Sequence, residues 1–213
     1  TYGDDPCSLF LPQTKFADNG MDEKTIRLIA QMHKAMTIIQ FKLEGEIIRR
    51  RPEFDMADRL LLDLLDLQQG TVTIDGKAYP LTDTHFPTID PNDPYRLTEG
   101  ELDLMEKIGH SFESSEKLKK HMRCFFRHGS MYQVCNSNLL FHASIPMNAD
   151  GTFKQVRILD KEYAGKALLD KVDQLVREAY FKTGEPEELA FACDYLWYLW
   201  CGPDSPLFDK SKM

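Results

Sequence analysis

The sequence predicts an α+β fold, mostly helical, on three observations. Apolar residues recur at helical spacing over Asp22 to Arg51 and Ala164 to Lys182, and an Asp-Gly pair separates two strand-like runs at 71–81. Helical and strand-like stretches also follow one another without regular βαβ alternation and without a repeat of fixed period.

Within the first helix, Ile29, Met32, Met36, Ile39, Leu43 and Ile47 draw one stripe at steps of three and four, which predicts the buried face. Arg49, Arg50 and Arg51 suit the negative end of the helix dipole, and Pro52 disfavours helical geometry just before it. The three arginines read as a solvated helix end rather than a phosphate-binding patch. A second helix is expected over Met56 to Leu67, ended by Gly70. Thr71–Ile74 and Lys77–Leu81 flank Asp75-Gly76 as a hairpin with a type I′ turn, and Pro80 places the second strand at an edge.

Pro87, Pro91 and Pro94 enforce an extended connection, after which Thr98 and Glu101 form a capping box for a helix to about Phe112. Ser115 to His128 is expected to be helical, with Leu118, Met122, Phe125 and Phe126 inward and Gly129 as a left-handed stop. Its Lys117, Lys119, Lys120, Arg123 and Arg127 read as a solvated cationic face. Met131–Cys135 and Leu139–Ile145 are neighbouring strands around Asn136-Ser137-Asn138, and Asn148–Gly151 is a further turn. Leu168, Leu169, Val172, Leu175, Val176 and Tyr180 mark the next helix, and an aromatic-rich one over Glu187 to Trp200 closes the pattern.

With 213 residues, 42% apolar and 28% charged, the chain is long enough for a substantial core and has a globular composition. Its formal charge of −8 excludes a global positive field, so neither nucleic acid nor a membrane is expected as partner, and an anionic ligand needs a local basic site or a metal. Cys7, Cys124, Cys135, Cys193 and Cys201 contain no CxxC spacing and read as reduced thiols of a cytoplasmic protein. No apolar run approaches a membrane span. The chain begins at Thr1 rather than Met and stops at Met213 soon after a motif-like stretch, which reads as a fragment.

Phosphate-cradling, dinucleotide, HExxH, EF-hand and GxSxG signatures are missing, and His33, His85, His110, His121, His128 and His142 lack metal-ligand spacing. His142 differs because it closes Leu139-Leu140-Phe141 and precedes small residues. Taken alone it reads as a satisfied structural histidine; the alternative is ligation, because an imidazole at the end of a buried strand is fixed in direction, as a metal requires. Trp197 to Pro206 reads either as a plain helix end or as a loop turned over a pocket.

Cys135–Asn148 and Asp194–Leu207, together with Phe41–Phe54 and Leu81–Pro91, resemble the class 3 fructose-1,6-bisphosphatases of bacteria, and the resemblance runs through essentially all of the chain. That family is longer and related to the calcineurin-like metallophosphatases. The resemblance therefore implies an internal fragment, with 1–130 a helical insertion or cap and 131–213 part of a larger catalytic α/β sandwich. It implies His142 as a ligand of a binuclear Mn²⁺ centre. By similarity to phosphoprotein phosphatases, it also implies Trp200, Gly202 and Asp204 as substrate-binding residues at the cleft edge. The family's aspartate-bearing motifs do not occur here, so no catalytic residue carries over and the chain alone is expected to be inactive.

The implied reaction of the full-length parent is hydrolysis of the 1-phosphate of fructose 1,6-bisphosphate to fructose 6-phosphate and phosphate, a gluconeogenic step. Two alternatives remain open at this point. The parent acts on phosphoproteins or another sugar phosphate, or Asp22 to Arg127 is a module without chemistry that caps a cleft or joins the subunits of a homo-oligomer.

Overall fold

A computed structural model describes residues 9–11 and 20–208. Cys7, Thr1 and Met213 lie outside the described residues. The fold is α+β, and the chain divides into two compact units at Ser114/Ser115.

The first unit opens with α1, Glu23–Arg50, whose N-cap Asp22 accepts from the Thr25 amide at 3.0 Å and hydroxyl at 2.6 Å. Those two bonds hold the Asp22 carboxyl below its ordinary range. The buried face is not the predicted stripe: of its six residues only Ile39 is buried, and Met32 and Met36 are exposed. The buried line runs through Gln31, Ala35, Ile38, Lys42 and Gly45, one residue or about 100° around the helix. Polar side chains occupy it because their polar ends are satisfied internally: Gln31 donates to the Phe10 carbonyl at 2.9 Å, and Lys42 to the Thr88 carbonyl at 2.6 Å. Gly45 is required by close approach. A Cβ there would lie 1.9 Å from the buried Tyr95 ring, which Arg49 covers from 4.1 Å.

The helix expected over Met56 to Leu67 does not form. Asp55 turns left-handed (φ 52°, ψ 47°) and breaks α-geometry, and the chain continues in single 3₁₀ turns at Ala57–Arg59 and, with the leucines, at Leu61–Leu64. Next comes β1, Leu65–Asp66, which pairs antiparallel with β2, Thr71–Ile74, and β2 pairs in turn with β3, Lys77–Pro80. The predicted hairpin is thus two-thirds of a three-stranded meander. Asp75 (φ 49°) and Gly76 (φ 75°) supply the positive angles of its turn, and Pro80 lies on the edge strand. The capping box opens α2, Glu99–Ser114: Glu101 donates its amide to the Thr98 hydroxyl at 3.3 Å, and its carboxylate accepts from the Thr98 amide at 2.8 Å.

In the second unit, α3 spans Glu116–His128 behind its N-cap Ser115. It belongs here because Phe126 stacks on Tyr180 at 4.3 Å and Arg177 donates to the carbonyls of Phe126 and Gly129. Phe125, expected inside, is 61% exposed. Gly129 is extended (φ −88°, ψ 155°) rather than left-handed; its smallness matters because a Cβ would lie 2.7 Å from the Phe125 carbonyl oxygen.

Strands β4, Tyr132–Cys135, and β5, Asn138–Phe141, form a hairpin through Asn136 (φ 49°) and Ser137 (φ 62°). Its apolar residues are exposed, against the expectation of a buried strand. A second hairpin, β6 Val156–Ile158 and β7 Lys161–Tyr163, went unpredicted because its turn is Leu159-Asp160, with Leu159 at φ 55°. Helices α4, Gly165–Phe181, and α5, Pro186–Cys201, build the core through Leu168, Val172 and Leu175 on one and Phe191, Ala192 and Leu199 on the other.

Candidate functional site

His142 directly follows β5 and is exposed, so its ring is open to a ligand rather than enclosed. Two residues on, the Ser144 amide donates to the Pro206 carbonyl at 3.3 Å. This bond joins the segment after His142 to the Gly-Pro loop after α5, the two stretches singled out from sequence.

The loop is held from inside. Ser205 is buried; its hydroxyl donates to the Leu199 carbonyl at 2.6 Å and accepts from the Leu207 amide at 3.1 Å. Gly202 is also buried, its amide bonded to the Tyr198 carbonyl at 2.6 Å, and a Cβ there would lie 2.3 Å from the Tyr198 ring. Gly202 therefore shapes the loop instead of presenting a surface. Trp200, by contrast, is 73% exposed.

Asp204 is half-buried. Its amide donates to the Tyr198 hydroxyl at 3.1 Å, and its carboxylate accepts from Lys154 Nζ at 2.6 Å. Lys154 is placed by its own amide, which donates to the Pro146 carbonyl at 3.0 Å beyond His142. Sequence reasoning missed Lys154: it lies fifty positions from Asp204 in no motif, and nothing local signals the pairing. Beneath the loop Phe191, Tyr195 and Tyr198 stack in series at 5.7 and 5.1 Å. Burial pushes the Tyr195 phenol far up, with Tyr198 and Asp204 adding to the effect. It stays neutral, a packing element and not an acid or base.

Among the described residues no group of three or more His, Cys, Asp and Glu side chains is arranged to hold a metal ion. His142 offers a single donor, and the Asp204 carboxylate is already engaged by an ammonium. These residues by themselves do not fit a binuclear manganese centre. No helix among them is long and apolar enough to cross a membrane.

Over residues 1–213 the chain matches the model of the family described as Firmicute fructose-1,6-bisphosphatase. It is similar to proteins named fructose-1,6-bisphosphatase class 3 from Parabacteroides distasonis (76% identical), Bacteroides fragilis (64%) and Clostridium novyi (51%). Each alignment covers all of this chain and 32% of the relative, so the chain spans about a third of the length of the curated relatives it matches. No solved structure matches.

Proposed function

Since the chain belongs to the Firmicute fructose-1,6-bisphosphatase family, we propose that it is one section of a longer enzyme that hydrolyses the 1-phosphate of fructose 1,6-bisphosphate to fructose 6-phosphate and phosphate. The reading rests above all on the match over all of residues 1–213, supported by 76% identity to a relative of that name. A gluconeogenic role in the cytoplasm and dependence on manganese are parts of the same proposal. In it, 1–130 contributes an insertion or cap and 131–213 contributes to the catalytic part.

His142 is assigned as one donor to a divalent cation. Its exposure at the end of β5 favours this, because a ligating imidazole must reach an ion whose other donors lie on another part of the longer polypeptide. The remaining donors, and the groups that attack the phosphate, are assigned to residues outside this chain. Trp200 offers an exposed indole to a sugar face, and Asp204, aligned by Lys154 and Tyr198, offers an acceptor for sugar hydroxyls, while Gly202 sets the path of the loop.

The test is phosphate release from fructose 1,6-bisphosphate by the longer protein with Mn²⁺. His142→Ala is expected to lower turnover by about a hundredfold or more with the fold retained. Unchanged turnover at saturating manganese removes His142 from the metal site. The 213-residue chain alone is expected to release no phosphate, and release would refute the placement of the missing donors. Faster turnover of phosphoproteins or another sugar phosphate would replace the substrate.

A further inference from the structure

The second half of α3 borders a cavity of about 580 Å³. It is lined by Lys120, Arg123 and Arg127, by His128, and by the rings of Phe126 and Phe181, whose centroids are 5.5 Å apart. Positions 120, 123 and 127 fall on one helical stripe about 10 Å long, so three cations line the same hollow. None makes a salt bridge among the described residues, whereas Lys34, Lys42, Lys154 and Arg177 each have a carboxylate within 2.7 Å. The one acid of the helix, Glu116, is bound to Lys119 at 2.9 Å and its charge also acts on Arg123 without a salt bridge to it, while Lys120 and Arg127 have no carboxylate in salt-bridge range among the described residues. Within a chain of net charge −8 this leaves a local concentration of like charge beside an apolar wall, since Phe181 is half-exposed there.

We propose that this hollow binds a small molecule bearing at least one phosphate group on an apolar or ring-shaped body. The guanidinium groups of Arg123 and Arg127 match phosphate oxygens in bidentate geometry, Lys120 adds a point charge, and the half-exposed Phe181 ring, backed by the buried Phe126, receives the body of the ligand. A merely solvated cationic face needs neither the cavity nor the rings. The overall negative charge disfavours a nucleic-acid strand, which needs a continuous positive track. The inference stands apart from the hydrolase reading, because none of these residues is assigned to the hydrolytic site.

The probe is pyridoxal 5′-phosphate applied to the intact longer protein, with borohydride trapping and peptide mapping of the labelled lysines. Lys117 and Lys119 lie on the same helix outside the cavity lining and serve as controls. The expected result is labelling of Lys120 about tenfold above both, suppressed by inorganic phosphate or by fructose 6-phosphate, and abolished in Arg123→Glu and Arg127→Glu with circular dichroism unchanged. Suppression by inorganic phosphate at equal concentration assigns recognition to the phosphate group alone. Suppression by the sugar phosphate only extends it to the body. Equal labelling of the three lysines, or a preference that neither anion relieves, overturns the site.

Discussion

The Lys42–Glu101 pair of the first unit and the β4–β5 hairpin of the second invert the usual partition of residues. The pair buries two charges: Lys42 is completely inaccessible, and its ammonium lies 2.7 Å from a Glu101 carboxylate that also closes the capping box of α2. The hairpin exposes Val134, Leu139, Leu140 and Phe141. A charge is tolerated inside where it meets a fixed opposite charge and hydrogen bonds, here Lys42 and the Thr98 amide on one Glu101 oxygen, and an apolar strand lies outside where nothing among the described residues covers it. Polarity alone does not decide burial; the availability of partners does.

The sharpest way to break this contrast is to remove half of the pair. Lys42→Met leaves Glu101 buried without its cation and is expected to cost about 3–5 kcal/mol in denaturant unfolding. Lys42→Met with Glu101→Leu should recover much of that, short of the roughly 1 kcal/mol belonging to the lost cap. Recovery of nothing would mean that the pair is not an interacting unit.

Gly45→Ala drives a methyl into the Tyr95 ring and is expected to cost about 1–3 kcal/mol, read as a lowered melting temperature. Acid probes the pair differently. Burial alone would raise the Glu101 carboxyl, but the hydrogen bonds from Lys42 and the Thr98 amide, with the Lys42 charge, outweigh it and hold the group below its ordinary value of 4.5. Folding is therefore stabilised above that value, and the contribution is lost as pH falls through the lower folded one. Glu101→Gln should flatten the acid limb of the stability curve, and an unchanged limb would show that other carboxylates set it. The smallest effect belongs to the hairpin: Leu140→Ser should change the unfolding free energy of this chain by less than about 0.5 kcal/mol. A larger loss would show that the strand is covered after all.

Legibility in the sequence followed the range of the interactions. The Asp75-Gly76 turn and the Thr98–Glu101 box were readable because each acts within four residues. The Met56 to Leu67 segment misled, since its leucines suit a helix while Asp55 is left-handed and Leu65 is drawn into pairing with Val72. The β6–β7 hairpin was invisible because its turn uses a leucine at positive φ where glycine or asparagine would announce it. At the candidate site, His142 and the Gly-Pro loop stood out as motifs, but the Ser144–Pro206 bond that joins them and the Lys154–Asp204 pair have no local trace.

By itself the sequence determined α1 to α5, the capping box of α2 and the tight turns at Asp75-Gly76 and Asn136-Ser137, because backbone geometry and short-range hydrogen bonds depend on neighbouring residues. It also carried the family, whose pattern is spread along the whole chain. Only the tertiary structure decided which face of α1 is buried. A helical stripe records apolarity, whereas burial depends on whether a distant Glu101, Thr88 or Tyr95 is placed to receive what that face presents.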